Sequence, residues 1–496
     1  MSLAELIPKV LVANRGEIAL RIIRTCQKLN IRTVAIFHDI DRNSPYVQLA
    51  DEAVEISGDT PTSAYLDIGQ IVRIAAEHHV SAVHPGYGFL AENSLFAAAV
   101  ADAGMRFVGP RPEVIRLLGD KVEAREFVKQ HKVPLAPSTS SDGSEVELLE
   151  QATAIGYPIL IKAAAGGGGK GMHIVHAAHE FESAYALATS EAQRYFGDRR
   201  VYCEKYLARP RHIEVQILAD EHGNCVHLGE RECSVQRRFQ KVFEESPAPR
   251  LSADLRKRMC DTAVTIAAAA NYTNAGTVEF ILGEDGEFYF LEVNTRLQVE
   301  HPVTEMVTGI DLVEAQLEIT AGHSLAFTQD QITHTGHAIE MRICAEDPEA
   351  DFMPAIGKIQ VLRNAEGAGV RLDSGLSEGM SVTSAFDPML AKLIAHGADR
   401  ESAIDIAHRA IREQVILGVT TNCGFLGRVL AHPAFRAGAI HTHFIDEHRD
   451  ELRRSELDQT RTAELVVMAA FNDPEFQRLT FDTPQPHAAM GGWRNA

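Results

Sequence analysis

The first part of the chain alternates short apolar runs with amphipathic segments. The apolar runs are Lys9–Ala13, Thr33–Phe37 and Ser81–Val83, while Ile18–Leu29 and Ile71–Ala76 carry apolar residues at spacings of three and four. Those spacings are typical of helices, whereas short apolar runs bounded by turn residues are typical of buried strands. Strands that alternate with helices predict an α/β fold with a parallel, doubly wound sheet.

The C-terminal part predicts a mixture of strands and helices. Ala338–Ile343 and Lys358–Leu362 are strand-like, and Arg400–Gln414 has the spacing of a helix. A strongly charged segment then precedes a short helical pattern at Glu464–Phe471 and a final stretch rich in Pro, Gly and Ala. We expect residues 448–496 to form a charged, flexible tail.

A run of glycines joins two strand-like segments. The run, Gly166–Gly171, is glycine except for Lys170 and lies between segments 157–162 and 172–175. Glycine lets backbone N–H groups approach phosphate oxygens closely. The run is not a Walker loop, which needs Ser or Thr after the lysine at the start of a helix. A phosphate-binding loop and a flexible hairpin tip both fit, and Lys162 is either a phosphate contact or a surface lysine.

The middle of the chain contains a predicted β-hairpin. Two apolar, aromatic-rich runs, 277–282 and 287–294, flank a four-residue loop bounded by glycines. This pattern is typical of two antiparallel strands joined by a short turn. We expect Leu282 to pair with Glu287, which fixes the register of the whole hairpin.

In this register two acidic side chains share one face of the hairpin. Glu279 would lie opposite Phe290, with Glu292 as the diagonal neighbour of Glu279 at about 7–8 Å. Two carboxylates among buried aromatic residues are costly without a partner. A divalent cation bound to nucleotide phosphates would neutralise them, and an exposed hairpin with solvated carboxylates is the alternative.

Polar residues continue at every second position beyond the hairpin. They are Glu292, Asn294, Arg296, Gln298 and Glu300. If the chain remains extended, all five side chains lie on one face and place a cation and a base beside a metal. An ordinary amphipathic strand has the same alternation, so the pattern alone is weak evidence.

Two further segments carry residues with possible chemistry. His84–Ala91 contains G-x-G-x-x-A after a strand, but it lacks the following acidic strand of a dinucleotide-binding fold, so we predict a turn that needs glycine. The basic segment Gln236–Lys241 precedes Glu244 and Glu245 and fits an anion site or an internal ion-paired loop equally well. We expect Cys233 to be a buried, unreactive thiol.

Composition restricts the class of protein. The 496 residues are 45% apolar and 23% charged, which excludes a disordered or fibrous chain. The 48 basic and 68 acidic residues give a net charge of −20, which argues against nucleic-acid binding and a membrane-surface role. The sequence has neither a long apolar segment nor a secretory signal pattern, and its seven scattered cysteines include no C-x-x-C. We expect a cytoplasmic enzyme of about three domains.

Taken together, these segments resemble the biotin carboxylase family of ATP-grasp ligases. The resemblance is carried in order by Ala13–Ala19, His84–Leu90, Gly119–Lys121, the glycine run, Glu204–Leu207, Gln236–Lys241, Glu292–Glu305, Glu340–Arg342 and Ala345–Pro348. It extends from about residue 8 to residue 447, and so many ordered motifs make chance agreement negligible.

The resemblance implies a nucleotide site and a metal site. The ATP phosphates would be held by Lys121, Lys162, Gly168 and Gly169. The rest of the nucleotide would be lined by Glu204, Lys205, Tyr206, Leu207, His212, Gln236 and Phe239. Mg²⁺ or Mn²⁺ would be held by Glu279, Glu292 and Asn294. Phe239 stands where many members have a histidine, so we expect altered ATP affinity with the chemistry retained.

The resemblance also implies the reaction. Bicarbonate would be held by Lys241, Arg296, Gln298 and Val299, with Glu300 as the base that takes its proton. Carboxyphosphate would form from bicarbonate and ATP and release CO₂, and the freed phosphate would deprotonate biotin N1. Arg342 would stabilise the enolate-like oxygen of the biotin ureido ring, and Tyr87 and Gly88 would line the substrate site.

Domain organisation and partners follow from the same resemblance. We expect a Rossmann-like N-terminal domain (1–118), an ATP-grasp domain (119–328) with a mobile lid at about 136–207, a C-terminal α+β domain (335–447) and the tail. The chain has no Met-Lys-Met motif, so biotin would arrive on a separate biotin carboxyl carrier protein, with carboxyltransferase subunits elsewhere. A homodimer is expected.

Two other functions fit the sequence less well. Another ATP-grasp ligase, joining a carboxylate to an amine, would share the glycine run and the carboxylate pair, but it should lack the set Arg296, Glu300 and Arg342. A catalytically silent nucleotide-binding or scaffold subunit is disfavoured because the acidic and basic residues of the proposed site are intact.

Overall fold

The computed structural model describes residues 2–140, 143–164, 172–454 and 467–468. Residues up to Leu452 form one unit, and a second unit begins at Arg453. Of the second unit the structure describes 453–454 and the helical pair 467–468. The glycine run, including Gly168 and Gly169, and most of the helix predicted at 464–471 lie outside the described residues.

The N-terminal part is a parallel sheet flanked by helices. Its strands are β1 (Lys9–Val12), β2 (Arg32–Phe37), β3 (Glu52–Glu55), β4 (Ala82–His84) and β5 (Arg106–Phe107). Its helices are α1 (Leu3–Leu6), α2 (Gly16–Lys28), α3 (Pro45–Leu49), α4 (Pro61–Ala64), α5 (Ile68–Glu77), α6 (Ser94–Asp102) and α7 (Pro112–Gly119). The strand order is β3-β2-β1-β4-β5, with every pairing parallel, so the predicted doubly wound sheet is confirmed.

A small antiparallel sheet follows. The next elements are α8 (Lys121–Gln130), α9 (Glu145–Ile155), β6 (Ile159–Ala163), β7 (His173–Val175), α10 (Phe181–Phe196) and β8 (Val201–Lys205). The strand order is β7-β6-β8. The two strands predicted on either side of the glycine run are therefore present and paired. One core, which includes Ile161, Phe181 and Cys203, lies between this sheet and its helices.

A large antiparallel sheet contains the residues of interest. The elements that begin it are β9 (Arg211–Ala219), β10 (Cys225–Glu232), β11 (Gln236–Arg237), β12 (Gln240–Lys241), β13 (Phe243–Ser246), α11 (Ala253–Ala269), β14 (Asn274–Leu282), β15 (Phe288–Asn294), α12 (His301–Thr308) and α13 (Leu312–Thr320). Strands β11 and β12 form a separate short hairpin beside the sheet.

The C-terminal part completes this sheet. Its strands are β16 (His337–Cys344), β17 (Glu346–Asp347), β18 (Met353–Pro354), β19 (Gly357–Lys358), β20 (Val361–Arg363), β21 (Val370–Ser374), β22 (Ser381–Val382), β23 (Met389–Gly397) and β24 (Val415–Leu417). Its helices are α14 (Arg400–Glu413), α15 (Cys423–Ala431), α16 (Pro433–Arg436) and α17 (Phe444–Glu447). The eight-stranded order is β15-β14-β9-β10-β13-β16-β23-β21, so strands from before and after residue 328 belong to one sheet.

Three local predictions are wrong. Lys358–Leu362 is not one strand, because β19 and β20 pair with different partners, β22 and β24. In the hairpin, Leu282 pairs with Phe288 rather than Glu287, and the register shifts again between Glu279 and Phe280. The chain is not extended as far as residue 300, because β15 ends at Asn294.

The register change alters the relation of the two acidic residues. Because the pairing is displaced by one residue at the turn and β15 contains one extra residue at this bulge, Glu279 pairs directly with Glu292 instead of Phe290. Directly opposed residues have their side chains on the same face, about 4.5–5.5 Å apart at Cβ. The predicted shared face is therefore present, with the two residues directly opposed rather than diagonal.

The seven cysteines all lie among the described residues and are free thiols. Within the described ranges, every helix is too short or too polar to cross a lipid bilayer.

Candidate active site

The Lys241 ammonium lies at the centre of a cluster of buried carboxylates. Its Nζ donates to Glu214 Oε2 at 2.6 Å, to Glu279 Oε1 at 2.9 Å and to Glu300 Oε1 at 2.6 Å. Glu214 and Glu279 are register partners on β9 and β14, while Lys241 ends β12 and Glu300 immediately precedes α12. One side chain thus connects two strands of the large sheet, the short hairpin and the start of a helix.

The charges in this cluster determine the protonation of its members. Burial alone would lower the pKa of Lys241, but the three carboxylates raise it well above the ordinary value. Burial would raise the pKa of Glu279, but Lys241 and His212 lower it overall; His212 Nε2 lies 2.8 Å from Glu279 Oε2. Lys241 and Glu279 are therefore both charged at neutral pH.

Glu300 is held between two cations. Besides Lys241 on Oε1, its Oε2 accepts a hydrogen bond from an Arg342 terminal nitrogen at 2.9 Å. Glu300 is fully buried, and burial opposes ionisation, but Lys241, Arg342 and Arg231 together lower its pKa well below the ordinary value. The carboxylate that the sequence predicts to be the base is therefore ionised and able to accept a proton.

The loop after β15 is held by side-chain hydrogen bonds centred on Arg296. Its guanidinium donates to Asn294 Oδ1 at 3.0 Å, to Gln298 Oε1 at 2.9 Å and to Glu92 Oε2 at 2.8 Å. Gln298 Nε2 lies 3.4 Å from Glu279 Oε1. Asn294, Arg296 and Gln298 therefore lie close together, as predicted. Hydrogen bonds within an irregular loop hold them, rather than an extended strand.

A cavity of about 400 Å³ lies beside Glu292. It is lined in part by Glu92, Lys121, Glu292 and Asn294. Lys121 occupies the first position of α8, and its Nζ lies 3.1 Å from Glu292 Oε2. Half-exposed cationic and anionic groups around a cavity of this size can bind a charged ligand together with a cation.

The carboxylate pair suits a hard divalent cation. Glu279 and Glu292 are directly opposed in register and offer oxygen donors, which Mg²⁺ prefers. Asn294 is placed with Nδ2 donating to Glu279 Oε1 at 2.9 Å and Oδ1 accepting from Arg296. Its amide would have to turn to offer an oxygen to a metal, so its ligand role stays a prediction.

Lys162 and Glu204 form an ion pair on the small sheet. Lys162 Nζ contacts Glu204 Oε2, and an Arg125 terminal nitrogen donates to Glu204 Oε1 at 2.6 Å. Lys205 instead donates to the backbone carbonyl oxygen of Gly156 at 2.8 Å. The ammonium groups of Lys162 and Lys205 therefore have different partners, although the sequence predicts one nucleotide site for both.

The remaining predicted nucleotide residues lie on two segments. Tyr206 and Leu207 follow β8 and are half-buried, and the Tyr206 hydroxyl lies 3.2 Å from His443 Nε2. Gln236 is buried and pairs in register with Lys241, whereas Phe239 is 62% exposed at the tip of the same hairpin. An aromatic side chain this exposed is available to a ligand.

The basic segment Gln236–Lys241 forms internal ion pairs. Besides the contacts of Lys241, Arg237 lies 3.1 Å from Glu346 Oε1, and Arg238 lies 2.5 Å from Asp351 Oδ2. Cys233 is buried as predicted, and burial raises the pKa of its thiol well above the ordinary value.

Lys392, on strand β23 of the large sheet, lies near the predicted substrate residues of the N-terminal part. Lys392 Nζ donates to the Val299 carbonyl oxygen at 2.7 Å and lies 5.9 Å from the Tyr87 ring centroid. The Tyr87 hydroxyl contacts a Glu17 carboxylate oxygen. Gly88 has φ +68°, so the predicted glycine-dependent turn is present.

Several site residues were missed by the sequence analysis. They are Glu92, Arg125, Glu214, Arg231 and Glu244, each of which contacts a predicted residue or its immediate partner. For Glu214 the available signal was the row of polar residues at alternate positions of β9, which are buried in the structure. When both faces of a strand are buried and one face is polar, the polar face is typical of a functional site rather than of a solvated surface.

Three family models together match most of the chain. They describe the N-terminal domain of biotin carboxylase (residues 6–115), the ATP-binding domain of the carbamoyl-phosphate synthase L chain (120–328) and the C-terminal domain of biotin carboxylase (340–447). A biotin carboxylase of Nostoc sp. is 50% identical over 442 residues, which cover 88% of this chain and 98% of the relative. The chain belongs to the biotin carboxylase family. It is an ATP-dependent ligase that uses ATP, Mg²⁺ and bicarbonate to carboxylate carrier-bound biotin, and its α/β fold has the family's N-terminal, ATP-grasp and C-terminal layout.

Other relatives agree with this assignment. A pyruvate carboxylase subunit of Methanothermobacter thermautotrophicus is 48% identical over 442 residues, covering 89% of this chain and 90% of the relative. The biotin carboxylase domain dimer of Hydrogenobacter thermophilus 2-oxoglutarate carboxylase, solved with MgADP, ADP and bicarbonate, superposes with a TM-score of 0.86 at 42% identity, over 91% of this chain and 99% of that one.

Replacing Lys241 with methionine tests the electrostatic role of the cluster. Lys241→Met leaves buried carboxylates without their shared cation, so we expect the free energy of unfolding at neutral pH to fall by about 3–5 kcal/mol. The lowered pKa values of Glu279 and Glu300 stabilise the fold above their ordinary titration range, and this stabilisation is lost as pH falls. The difference from wild type should therefore shrink in acid, as measured by urea unfolding across pH.

Lys257→Met is the matched control, because Lys257 is exposed and pairs with Asp261 on the surface of α11. We expect that change to leave the free energy of unfolding close to the wild-type value at every pH. A Lys241→Met deficit that is equally large in acid would contradict the electrostatic explanation.

Proposed function

We propose that Glu300 is the base that deprotonates bicarbonate and that Lys241, Arg296, Gln298 and the Val299 backbone hold this anion. The observation that carries the proposal is the ionised Glu300 carboxylate between Lys241 and Arg342. Arg296 donates a hydrogen bond to Gln298, two positions before Glu300. A buried anionic base beside cations suits a reaction in which one anion must bind and then lose a proton.

In the proposed reaction each proton has a defined destination. The bicarbonate O–H proton moves to a Glu300 carboxylate oxygen while another bicarbonate oxygen bonds to the γ-phosphorus of ATP and ADP leaves. The carboxyphosphate formed splits into CO₂ and phosphate, the phosphate takes the biotin N1 proton, and N1 bonds to CO₂. Arg342 stabilises the charge that develops on the ureido oxygen, and Tyr87 and Gly88 line the biotin site.

The nucleotide assignments are proposals of the same kind. Lys121 and Lys162 are assigned to the ATP phosphates together with Gly168 and Gly169, and the adenine and ribose are assigned to Glu204–Leu207, His212, Gln236 and Phe239. The cavity beside Lys121 and the cluster of charges at Lys162 support these assignments.

Glu279 and Glu292 are proposed to hold Mg²⁺, with Asn294 as a third ligand and Mn²⁺ as an alternative ion. The directly opposed carboxylates and their oxygen chemistry support this assignment. When bound, Mg²⁺ neutralises phosphate charge during phosphoryl transfer. His212 and Lys241 compensate Glu279 from within the protein.

The proposal also covers the partner proteins, the oligomeric state and the domain boundaries of this chain. We infer a separate biotin carboxyl carrier protein and carboxyltransferase subunits, supported by relatives named as subunits of larger carboxylases. A homodimer is supported by the dimeric structural relative. Two further points stay predictions. One is the cytoplasmic location. The other is the set of domain boundaries, 1–118, 119–328 with a lid at 136–207, 335–447 and 448–496.

A bicarbonate-dependent ATPase assay tests the function directly. We expect the purified chain to hydrolyse ATP only with bicarbonate and Mg²⁺, and free biotin to stimulate the rate. The same rate without bicarbonate would overturn the proposal and favour a different ATP-grasp ligase or a nucleotide-binding scaffold.

Glu300→Gln tests the base. The amide keeps the shape of the side chain but cannot accept the bicarbonate proton, so we expect biotin-dependent turnover to fall by at least about 100-fold. ATP binding, measured by calorimetry, should remain within about threefold of wild type. Glu287→Gln, an exposed change in the hairpin loop, is the control, and turnover of Glu300→Gln near the wild-type rate would refute the assignment.

Glu292→Gln tests the metal ligand. Removing one carboxylate from the opposed pair weakens a site for a hard cation, so we expect the apparent Mg²⁺ requirement of the ATPase to rise by about tenfold or more. Titration of the rate with Mg²⁺ at saturating ATP measures the effect. An unchanged Mg²⁺ dependence would count against a ligand role for Glu292.

A further inference from the structure

Glu244 and Glu340 form a buried pair of acidic residues behind Arg342. They are direct register partners on the antiparallel strands β13 and β16, so their side chains leave the sheet on the same face. Both are fully buried. The proposed reaction assigns a role to neither residue.

The hydrogen bonds of this pair are incomplete. Glu244 Oε1 accepts from Arg342 Nε at 2.6 Å. Among the described residues, Glu244 Oε2 and both carboxyl oxygens of Glu340 are buried without a hydrogen-bond partner. An ionised Glu340 carboxylate would have no hydrogen bond to offset the cost of its desolvation.

The cations around Glu340 are already bound to other groups. Arg342, two positions along the same strand, contacts both Glu244 and Glu300. Lys392 on the neighbouring strand β23 donates to the Val299 carbonyl oxygen, and its Nζ lies 3.3 Å from Glu17 Oε1. Neither cation makes an ion pair with Glu340 within 4 Å in the described residues.

Helix α12 covers this face of β16 and adds no positive charge. Its Val303 and Val307 pack against Ala338 of the strand. His301, in its first turn, lies with Nδ1 2.7 Å from the Gln298 carbonyl oxygen, to which it donates, and this leaves Nε2 without a proton. Burial and nearby cations lower the pKa of His301 well below its ordinary value.

The electrostatics separate the two acids. Burial raises the pKa of Glu340 well above its ordinary value, since Lys392 offsets only part of that cost and Glu244 adds to it. Burial also raises the pKa of Glu244, to about 7, with Arg342 acting in the opposite direction. When two neighbouring carboxyl groups have pKa values shifted by different amounts, one keeps its proton and the other can be charged.

We propose that Glu340 is a neutral carboxylic acid that donates its proton to Glu244 Oε2 and so keeps Glu244 anionic against Arg342. Glu340 is then a positioning residue for the arginine assigned to biotin, an assignment that rests on the proposed function. One O–H satisfies the free oxygen of Glu244, and the remaining carbonyl oxygen of Glu340 belongs to a neutral acid, for which burial is less costly than for a carboxylate.

Infrared spectroscopy of the substrate-free protein tests the protonation state. We expect the wild-type spectrum at neutral pH to contain a carbonyl band of a protonated carboxylic acid that is lost in Glu340→Gln. The band should persist in Glu245→Gln, the matched control on β13, because Glu245 is equally buried but is ionised by His337 and Arg400. A wild-type spectrum without that band, or an unchanged band in Glu340→Gln, would overturn the proposal.

The pH profile of biotin-dependent turnover tests the positioning role. Glu340→Leu removes the donor, so the pKa of Glu244 should rise and the acid limb of kcat should move to higher pH, with kcat reduced by about 10–100-fold and KM for ATP unchanged. Glu340→Gln retains a neutral donor of similar shape and should restore the wild-type profile. An acid limb that moves to lower pH in Glu340→Gln would show that wild-type Glu340 is charged and would refute the proposal.

These tests separate the proposal from the assignment on which it rests. The infrared band is measured without substrate, so it reports on Glu340 even if bicarbonate does not stimulate the ATPase. If Glu340→Leu does not fold, the spectrum and the pH profile of Glu340→Gln still decide the question.

Discussion

The site depends on one buried ammonium group that is shared by three carboxylates. Lys241 joins Glu214 and Glu279 on adjacent strands to Glu300 at the start of a helix. Isolated charges in this position would be very costly to bury, so each group is tolerated only because the others are present. The same interaction therefore holds the site in its geometry and ties that geometry to the stability of the large sheet.

Hydrophobic periodicity and turn residues predicted the features that depend on residues close together in the sequence. The parallel N-terminal strands, the hairpin and the convergence of Asn294, Arg296 and Gln298 follow from periodicity or turn residues. The hairpin register was wrong by one residue at the turn and by a second residue at the bulge near Glu279, and neither change alters the apolar pattern of the two runs. Alternation also predicted an extended chain to residue 300, where side-chain hydrogen bonds rather than strand pairing bring the residues together.

Features that depend on distant pairing could not be predicted from residue patterns. Glu214, Arg231 and Glu244 reach the site only because β9, β10 and β13 are neighbours in one sheet. The alternating polar residues of β9 mark it as an unusual strand, but no local signal states which strands pair with it. The resemblance to biotin carboxylases supplied the residues that are proposed to act on substrate, while the buried charges around them emerged from the three-dimensional arrangement.

The same arrangement explains how binding can prepare the base. Before substrates bind, Lys241 and Arg342 both contact Glu300 and lower its pKa, which makes the carboxylate ionised but weakly basic. In the proposed reaction Lys241 turns to bicarbonate and Arg342 to the ureido oxygen, so each contact they give up raises the proton affinity of Glu300. The proton transfer then becomes favourable when both substrates are in place, because the cations that bind them are the ones that had suppressed the base.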